Sequence, residues 1–292
     1  MRFFLLEQRP DNPPRLTPST RCLVCHHSSI AAGVPGLFTR SIVTGPDGTT
    51  LPWLGNSTSD HRSPLDERWG GWYVTGRAGG TTHLGNTFVR ATVANPDAET
   101  RTGFDTPESL ASHIDADAYL SPYSDVVALL VFQHQTWMMN LLTRIGWEVR
   151  LASADRPASV EAVADASARE VVDYMLFVDE APLPSAITGT SGFAEQFAAR
   201  GPLDRKGRSF RQLNLEGRLF LYPCSYLIYS DVFEALPSEA KAAIYRRMWQ
   251  VLSGQAADPR YRRLTRNDRT AIVEILRETK AGLPDYFEPL ER

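Results

Sequence analysis

Five consecutive residues, Cys22-Leu23-Val24-Cys25-His26, form a C-x-x-C-H motif, and no other stretch of the chain constrains its fold as strongly. Two thiols at this spacing can add across the two vinyl groups of a porphyrin and form thioethers. The histidine that follows is then carried beneath the iron, where its imidazole nitrogen can bind. The motif therefore predicts one covalent haem c per chain, attached through Cys22 and Cys25, with His26 as the proximal ligand.

Two other uses of a C-x-x-C pair fit the sequence less well. A structural zinc site usually takes a second pair of ligands, and the one further cysteine, Cys224, lies far along the chain. A thioredoxin-like dithiol is found at a strand-to-helix junction of a βαβ pattern, and the residues around Cys22 show no such pattern. Haem attachment is the interpretation that we carry forward.

Composition limits the function classes. The chain has 292 residues, of which 42% are hydrophobic and 22% charged, as is ordinary for a globular protein with a sizeable core. Its formal net charge of -3 argues against a general nucleic-acid binder. No apolar run is long enough to cross a bilayer, so we expect no membrane span.

Glycine, proline and turn pairs are dense before residue 105, and helical periodicity dominates after it. We predict a loop-rich haem attachment region over 1–104, with short strands at 2–8, 38–44, 72–75 and 87–93. A helical body packs against it over 105–292, and the two can form one continuous domain. The fold class is thus mainly α, with a loop-rich, partly β amino-terminal region that carries the haem motif. Thr106-Pro107-Glu108 predicts the start of a short helix. Further helices are predicted over 122–149, 158–178, 191–199, 225–235, 238–253 and 266–280. Thr265 and Asp268 predict a capping box for the last helix.

The second axial position of the iron is the open question. Small cytochromes c commonly use a methionine downstream of the motif, but this chain has no methionine between Met1 and Met138. The sixth ligand is therefore a histidine or a residue of a distant helix, or else the position is open. Two strong ligands favour an electron carrier, whereas an open position admits peroxide or a gas.

His134 is the sixth-ligand candidate that periodicity favours. The apolar residues at -7, -4, -3, +4, +7 and +11 from it fall within about 60° of its direction on a helix. Gln133, Thr136, Asn140 and Arg144 fall outside that sector. His134 is thus predicted at the centre of a buried stripe, either as a core histidine with a hydrogen-bond partner or as an iron ligand. Met138, one turn further on, is the alternative from the same face.

Two more histidines are candidates. His61 precedes Arg62 in a polar turn, and such a pair near haem would suit a peroxidase, with the imidazole moving a proton and the guanidinium stabilising the leaving oxygen. His83 follows a glycine-rich turn, where small neighbours let the backbone approach a large planar ligand. His61, His83 and His134 could instead converge on a separate non-haem metal.

Several further stretches resemble one family of proteins. They are Gly33-Val34-Pro35-Gly36, Asp60-His61-Arg62-Ser63-Pro64, Arg68-Trp69-Gly70-Gly71-Trp72-Tyr73-Val74-Thr75-Gly76, His83-Leu84-Gly85-Asn86, Ser124-Asp125-Val126-Val127-Ala128-Leu129, His134-Gln135, Arg200-Gly201-Pro202 and Tyr222-Pro223-Cys224-Ser225-Tyr226-Leu227-Ile228-Tyr229-Ser230. With the C-x-x-C-H motif, they resemble an uncharacterised family of bacterial, exported cytochrome c domain-containing proteins. The resemblance runs from about Phe3 to the carboxyl end. It implies haem at Cys22, Cys25 and His26, and it implies no particular reaction.

The sequence thus predicts a c-type haem-binding protein, located in the periplasm or otherwise exported, that transfers one electron at a time to an unidentified redox partner. The alternatives are a peroxidase-like haem enzyme with an open sixth position, in which His61 and Arg62 act, and a haem-based redox or gas sensor. Residues 1–7 do not read as an export leader, whereas relatives of the resembled family carry one. We therefore expect the native start to lie upstream of Met1.

Overall fold

The computed structural model describes residues 1–92 and 95–290. Within them the chain is mainly α-helical, with three small two-stranded antiparallel sheets in the amino-terminal third. This arrangement confirms the predicted mixture of helices with some β structure. The strands are β1 (Phe4–Arg9), β2 (Asn12–Pro18), β3 (Arg40–Ile42), β4 (Asn56–Thr58), β5 (Thr87–Thr92) and β6 (Asn95–Gly103). The helices are α1 (Leu23–His26), α2 (Val126–Asp155), α3 (Val160–Met175), α4 (Phe193–Ala198), α5 (Asp231–Glu234), α6 (Ser238–Leu252) and α7 (Arg266–Thr279).

Helix α2 is the central element of the fold. It begins at Val126 because the Asp125 side chain accepts hydrogen bonds from the amides of Val127 and Ala128, which satisfies two otherwise free donors. The helix ends before Pro157, which cannot continue it. The predicted helix over 122–149 is confirmed, with both ends shifted towards the carboxyl terminus.

Helix α2 buries residues on two of its faces, while Phe132, Trp147 and Leu151 are exposed. One faces the main core, where Met138, Leu141 and Ile145 are fully buried among residues of α3 and α6. The other carries Gln133, Thr136 and Asn140, which are at most 5% exposed. These polar residues lie outside the apolar stripe, and they are buried because the amino-terminal region covers them.

Most of the remaining helices lie where the apolar spacing of the sequence predicts them. Helix α3 packs on α2 and α6, with Ala168, Val171 and Val172 buried in the contact. Helix α7 has the predicted capping box: the Thr265 hydroxyl accepts from the Asp268 amide, and the Asp268 carboxylate accepts from the Thr265 amide. The predicted helix over 225–235 is a short 3-10 turn, Tyr226–Tyr229, followed by α5.

Two predicted elements are wrong. Residues 106–114 form turns instead of a helix, and the Pro107 carbonyl accepts a hydrogen bond from Gly76 instead of from a following turn. Residues 72–75 form no strand, because Trp69 and Gly71 have positive φ values of 68° and 77° and turn the chain just before them. The strand predicted over 38–44 is only three residues long as β3, and the one predicted over 87–93 is β5, with Val93 outside the described residues.

The described helices contain none that combines the length and apolar character needed to cross a membrane, in agreement with the expected absence of a span.

Candidate functional site

The C-x-x-C-H motif forms a single helical turn on the protein surface. Cys22 is the N-cap residue of α1, and Cys25 and His26 occupy its end. Both thiols are free; Cys22 is half-buried and Cys25 exposed. Val24, between them, is 82% exposed. The two thiols are therefore reachable from outside and are not consumed by a disulfide.

The His26 imidazole is held by a hydrogen bond that fixes its tautomer. Its Nδ1 lies 2.9 Å from the carbonyl oxygen of Gly36. A carbonyl oxygen can only accept, so Nδ1 carries a proton, and in the neutral imidazole Nε2 then has the lone pair. The Gly36 amide donates back to the His26 carbonyl, also at 2.9 Å. Nε2 has no hydrogen-bond partner among the described residues, and this is the state that a metal-binding imidazole requires.

Two aromatic rings enclose His26. The Phe3 ring centroid lies 4.7 Å from that of the imidazole, and the Phe38 centroid lies 5.0 Å from it. Phe3 directly precedes β1, and Phe38 lies shortly before β3. The imidazole orientation therefore depends on packing as well as on the hydrogen bond to Gly36.

Helix α2 anchors the loop that supplies the Gly36 carbonyl. The Asn140 carboxamide donates to the Leu37 carbonyl oxygen over 2.6 Å. Gly36 lies directly against the same carboxamide, and a Cβ at residue 36 would overlap it. His27 stacks on Trp147 of α2, with ring centroids 5.7 Å apart. The motif turn is thus fixed to the face of α2 opposite to the core.

His61 and His134 form a buried pair. Their Nδ1 atoms lie 2.8 Å apart, so one donates to the other. His134 Nε2 also lies 2.8 Å from the Ser225 hydroxyl. The His61 ring stacks on Tyr174 with centroids 3.9 Å apart, and the His134 ring stacks on Phe177 at 4.3 Å. His134 is buried at the centre of its stripe, as predicted, and His61 is its hydrogen-bond partner.

Burial keeps this pair neutral. It lowers the pKa of His134 to about 3. The pKa of His61 lies well below its ordinary value because of burial, then of the neighbouring His134 and of the positive charges of Arg62, Arg68 and Arg263. Arg68, with 1% exposure, is one of these charges. Its guanidinium donates to the carbonyls of Ser63 and His61 and to the Gln133 carboxamide. Burial lowers the pKa of Arg68 to about 10, so it stays charged at neutral pH.

None of the four sixth-ligand candidates contacts His26 among the described residues. His134 uses both ring nitrogens in hydrogen bonds, as does His83, whose partners are Thr106 and the Gly85 amide. His61 has one nitrogen without a partner, the buried Nε2. Met138 is fully buried in the main core. The identity of the sixth ligand therefore stays a prediction.

His61 and Arg62 both contact the Tyr174 ring and line one cavity with it, but their hydrogen-bond partners differ. The His61 ring faces the core, whereas the Arg62 guanidinium forms an ion pair with Asp60, Nη2 to Oδ2, over 2.6 Å. That guanidinium also lies 5.5 Å from the Trp137 ring and 5.1 Å from the Tyr174 ring. In the described part of the chain, no group of three or more His, Cys, Asp or Glu side chains is arranged to hold a metal ion, so the histidines do not converge on one.

Sequence reasoning missed three residues that shape this site: Gly36, Arg68 and Asn140. Gly36 and Arg68 lie in stretches that carry the family resemblance, which gave no role to either. Asn140 falls on the polar side of α2, where a solvent-exposed residue is the usual expectation. Only the contact between the amino-terminal loop and α2 reveals what each does.

Comparisons of the chain with protein-family models, with curated proteins and with solved structures found no match. The case for function therefore depends on the residues themselves.

Proposed function

We propose that this protein binds one haem c covalently and transfers single electrons. Cys22 and Cys25 would supply the two thioether sulfurs and His26 Nε2 the proximal iron ligand. When bound, the haem supplies a reversible one-electron change at its iron. The chain's own residues attach it, orient the imidazole and set the surroundings that tune its potential.

The hydrogen bond from His26 Nδ1–H to the Gly36 carbonyl is the observation that carries this proposal. Histidines that bind metals almost always donate their other ring N–H to a carbonyl, a carboxylate or water. That bond fixes the tautomer, orients the ring and raises the basicity of the ligating nitrogen.

The surface around the motif also suits a large apolar cofactor. Phe4, Leu6 and Leu16 of the β1–β2 hairpin are 50%, 55% and 66% exposed, and Val24 of the motif is more exposed still. Leu6 and Leu16 lie opposite each other in the strand register, and Phe3, beside β1, packs on His26. Apolar surface of this kind usually marks a binding site. A porphyrin attached at Cys22 and Cys25 would cover part of it.

Electron transfer is the role we favour over catalysis. His61 Nδ1 is engaged with His134 and the Arg62 guanidinium with Asp60, which favours a structural role for both, although the two side chains line one cavity with Tyr174. Covalent haem is attached outside the cytoplasm, so the proposal implies a periplasmic or otherwise exported protein. The redox partner is unidentified.

Spectroscopy of the haem-loaded protein tests the role. The chain is produced behind an export leader together with the haem c maturation machinery. A low-spin, six-coordinate spectrum with one reversible one-electron transition supports the carrier. A high-spin spectrum that changes on addition of peroxide contradicts it and supports the enzyme.

Single replacements identify the sixth ligand. His61, His83, His134 and Met138 are each changed to alanine, and the variant that converts the spectrum from low to high spin marks the ligand. Exposed His113 provides the matched control, since its replacement should leave the spectrum unchanged.

A further inference from the structure

A cavity of about 260 Å³ lies between the amino-terminal region and α2, next to the motif. Phe38, which packs on His26, forms part of its wall, as does Ile30. The rest of the lining is polar and includes Ser59, Asp60, Arg62 and Trp137. The cavity therefore adjoins the proposed haem site through a single side chain.

Two side chains of this lining, Trp137 and Arg62, carry hydrogen-bond donors that have no acceptor among the described residues. The Trp137 indole N–H is buried and has no acceptor among the described residues. Arg62 bonds Asp60 through Nε and Nη2, which leaves Nη1 without a described acceptor. An indole or guanidinium N–H can only donate. The buried Trp137 N–H therefore requires an acceptor, whereas the Arg62 side chain is 37% exposed and its Nη1 can donate to water or to an occupant of the cavity.

A hydrogen-bond chain adds a third donor. Arg68 donates to the Gln133 carboxamide oxygen over 3.2 Å, and the Gln133 amide donates to the Ser59 hydroxyl oxygen over 2.7 Å. Because Ser59 Oγ accepts there, its own proton is available to another acceptor, and none is found among the described residues. Among the described residues, no carboxylate is bonded to the buried Arg68. Within the lining the charges of Arg62 and Asp60 offset each other. The excess positive charge next to the cavity is that of Arg68, which lies behind Gln133 and does not itself line the wall.

We propose that this cavity binds a carboxylate group, held by Arg62, Trp137 and Ser59. A carboxylate supplies acceptors only, and charge-assisted hydrogen bonds from a guanidinium are its strongest partners. Two sources offer this chemistry: a propionate of the haem, which rests on the proposed function, and a free small carboxylate. The position of Phe38 between the cavity and His26 favours the haem propionate.

The first experiment uses haem-loaded protein and the variants R62Q, W137F and S59A. Loss of a donor leaves the carboxylate charge less compensated, which stabilises the oxidised iron. The midpoint potential should fall, and its pH dependence should move to higher pH as the carboxylate pKa rises. R205Q is the control, because the Arg205 side chain is 92% exposed and does not line this cavity. Thermal unfolding of each variant shows that it is folded.

The second experiment uses C22S/C25S protein, which cannot attach haem, titrated with sodium propionate against sodium chloride at equal ionic strength. If a free carboxylate is the natural occupant, propionate binds and R62Q weakens binding by roughly tenfold or more. Unchanged potentials together with no propionate binding would overturn the proposal. If the unmodified chain takes up no haem, the proposed function fails, and the titration alone decides whether the cavity binds carboxylates.

Discussion

His26 and Gly36 are joined by two hydrogen bonds of 2.9 Å, one from the imidazole Nδ1–H to the Gly36 carbonyl and one from the Gly36 amide to the His26 carbonyl. The pair closes the segment after the C-x-x-C-H turn into a loop. It holds the imidazole so that Nε2 is free to bind. Asn140 of α2 fixes the position of this loop.

The change G36A should therefore disturb His26 from a distance. A Cβ at residue 36 would overlap the Asn140 carboxamide, so the loop must move away from α2 and the bond to His26 Nδ1 must lengthen or break. We expect a destabilisation of about 1–3 kcal/mol, as for other overpacked sites. In haem-loaded protein the less basic imidazole should raise the midpoint potential. Urea unfolding and redox titration measure the two effects.

The variant N140A is the partner for that experiment. It removes the carboxamide that a Cβ at residue 36 would overlap. The double variant G36A/N140A should therefore lose less unfolding free energy than the sum of the losses in the two single variants. Strict additivity would show that Gly36 and Asn140 do not interact in the way we describe.

The His61–His134 pair should make stability fall in mild acid. Burial holds both pKa values below that of an unfolded histidine, so the unfolded state takes up protons that the folded state does not. The stabilisation is complete above about pH 6.5 and is lost as pH falls, by up to about 1.4 kcal/mol per pH unit for each histidine. Urea unfolding of the unmodified protein and of H61Q/H134Q at pH 7, 6 and 5 measures it.

The comparison with H61Q/H134Q isolates the pair, because all other titrating groups are shared by the two proteins. The difference in unfolding free energy between them should shrink as pH falls from 7 to 5. A difference that is constant over this range would mean that the two imidazoles titrate normally and are not buried as a neutral pair.

Glu180 should give stability the opposite pH dependence, a loss as pH rises. It is 5% exposed and accepts a hydrogen bond from the Leu219 amide, and burial raises its pKa to about 7. Its contribution to stability is therefore present below the unfolded pKa and is lost as pH rises through 7. The change E180Q keeps the acceptor oxygen and removes the charge. Relative to the unmodified protein, E180Q should gain up to about 3 kcal/mol between pH 4.5 and pH 8.

Exposed Glu216 provides the control for that measurement. The change E216Q should produce no comparable gain over the same pH range. If E180Q behaves like E216Q, the Glu180 carboxyl titrates as it would in water.

Much of the helical body follows from local pattern. Helix α7 shows this best, since its apolar spacing and the Thr265–Asp268 box both depend on residues within one helix. Short-range rules fail where a backbone group serves a distant partner. Pro107 looks like a first-turn residue, but its carbonyl bonds Gly76, and the helix predicted there does not form.

The site itself depends on contacts that are distant in sequence. Helical periodicity predicts that His134 is buried. It cannot predict the hydrogen bond between His134 and His61, which lies 73 residues earlier in the chain. The polar side of α2 looks solvent-exposed by the same reasoning, yet Gln133 and Asn140 are buried beneath the amino-terminal loops. The C-x-x-C-H motif predicts its own chemistry because its five residues act together, whereas Gly36 becomes important only through its contacts with His26 and Asn140.

The mass of the exported chain tests the central claim most directly. After production with the haem c maturation machinery and denaturation, we predict a mass gain of one haem, which is absent from C22S/C25S. The variant C224A should keep the gain, because Cys224 is buried in the core. A chain that leaves the maturation machinery with no covalent haem, or one whose haem survives the loss of both Cys22 and Cys25, would contradict the account.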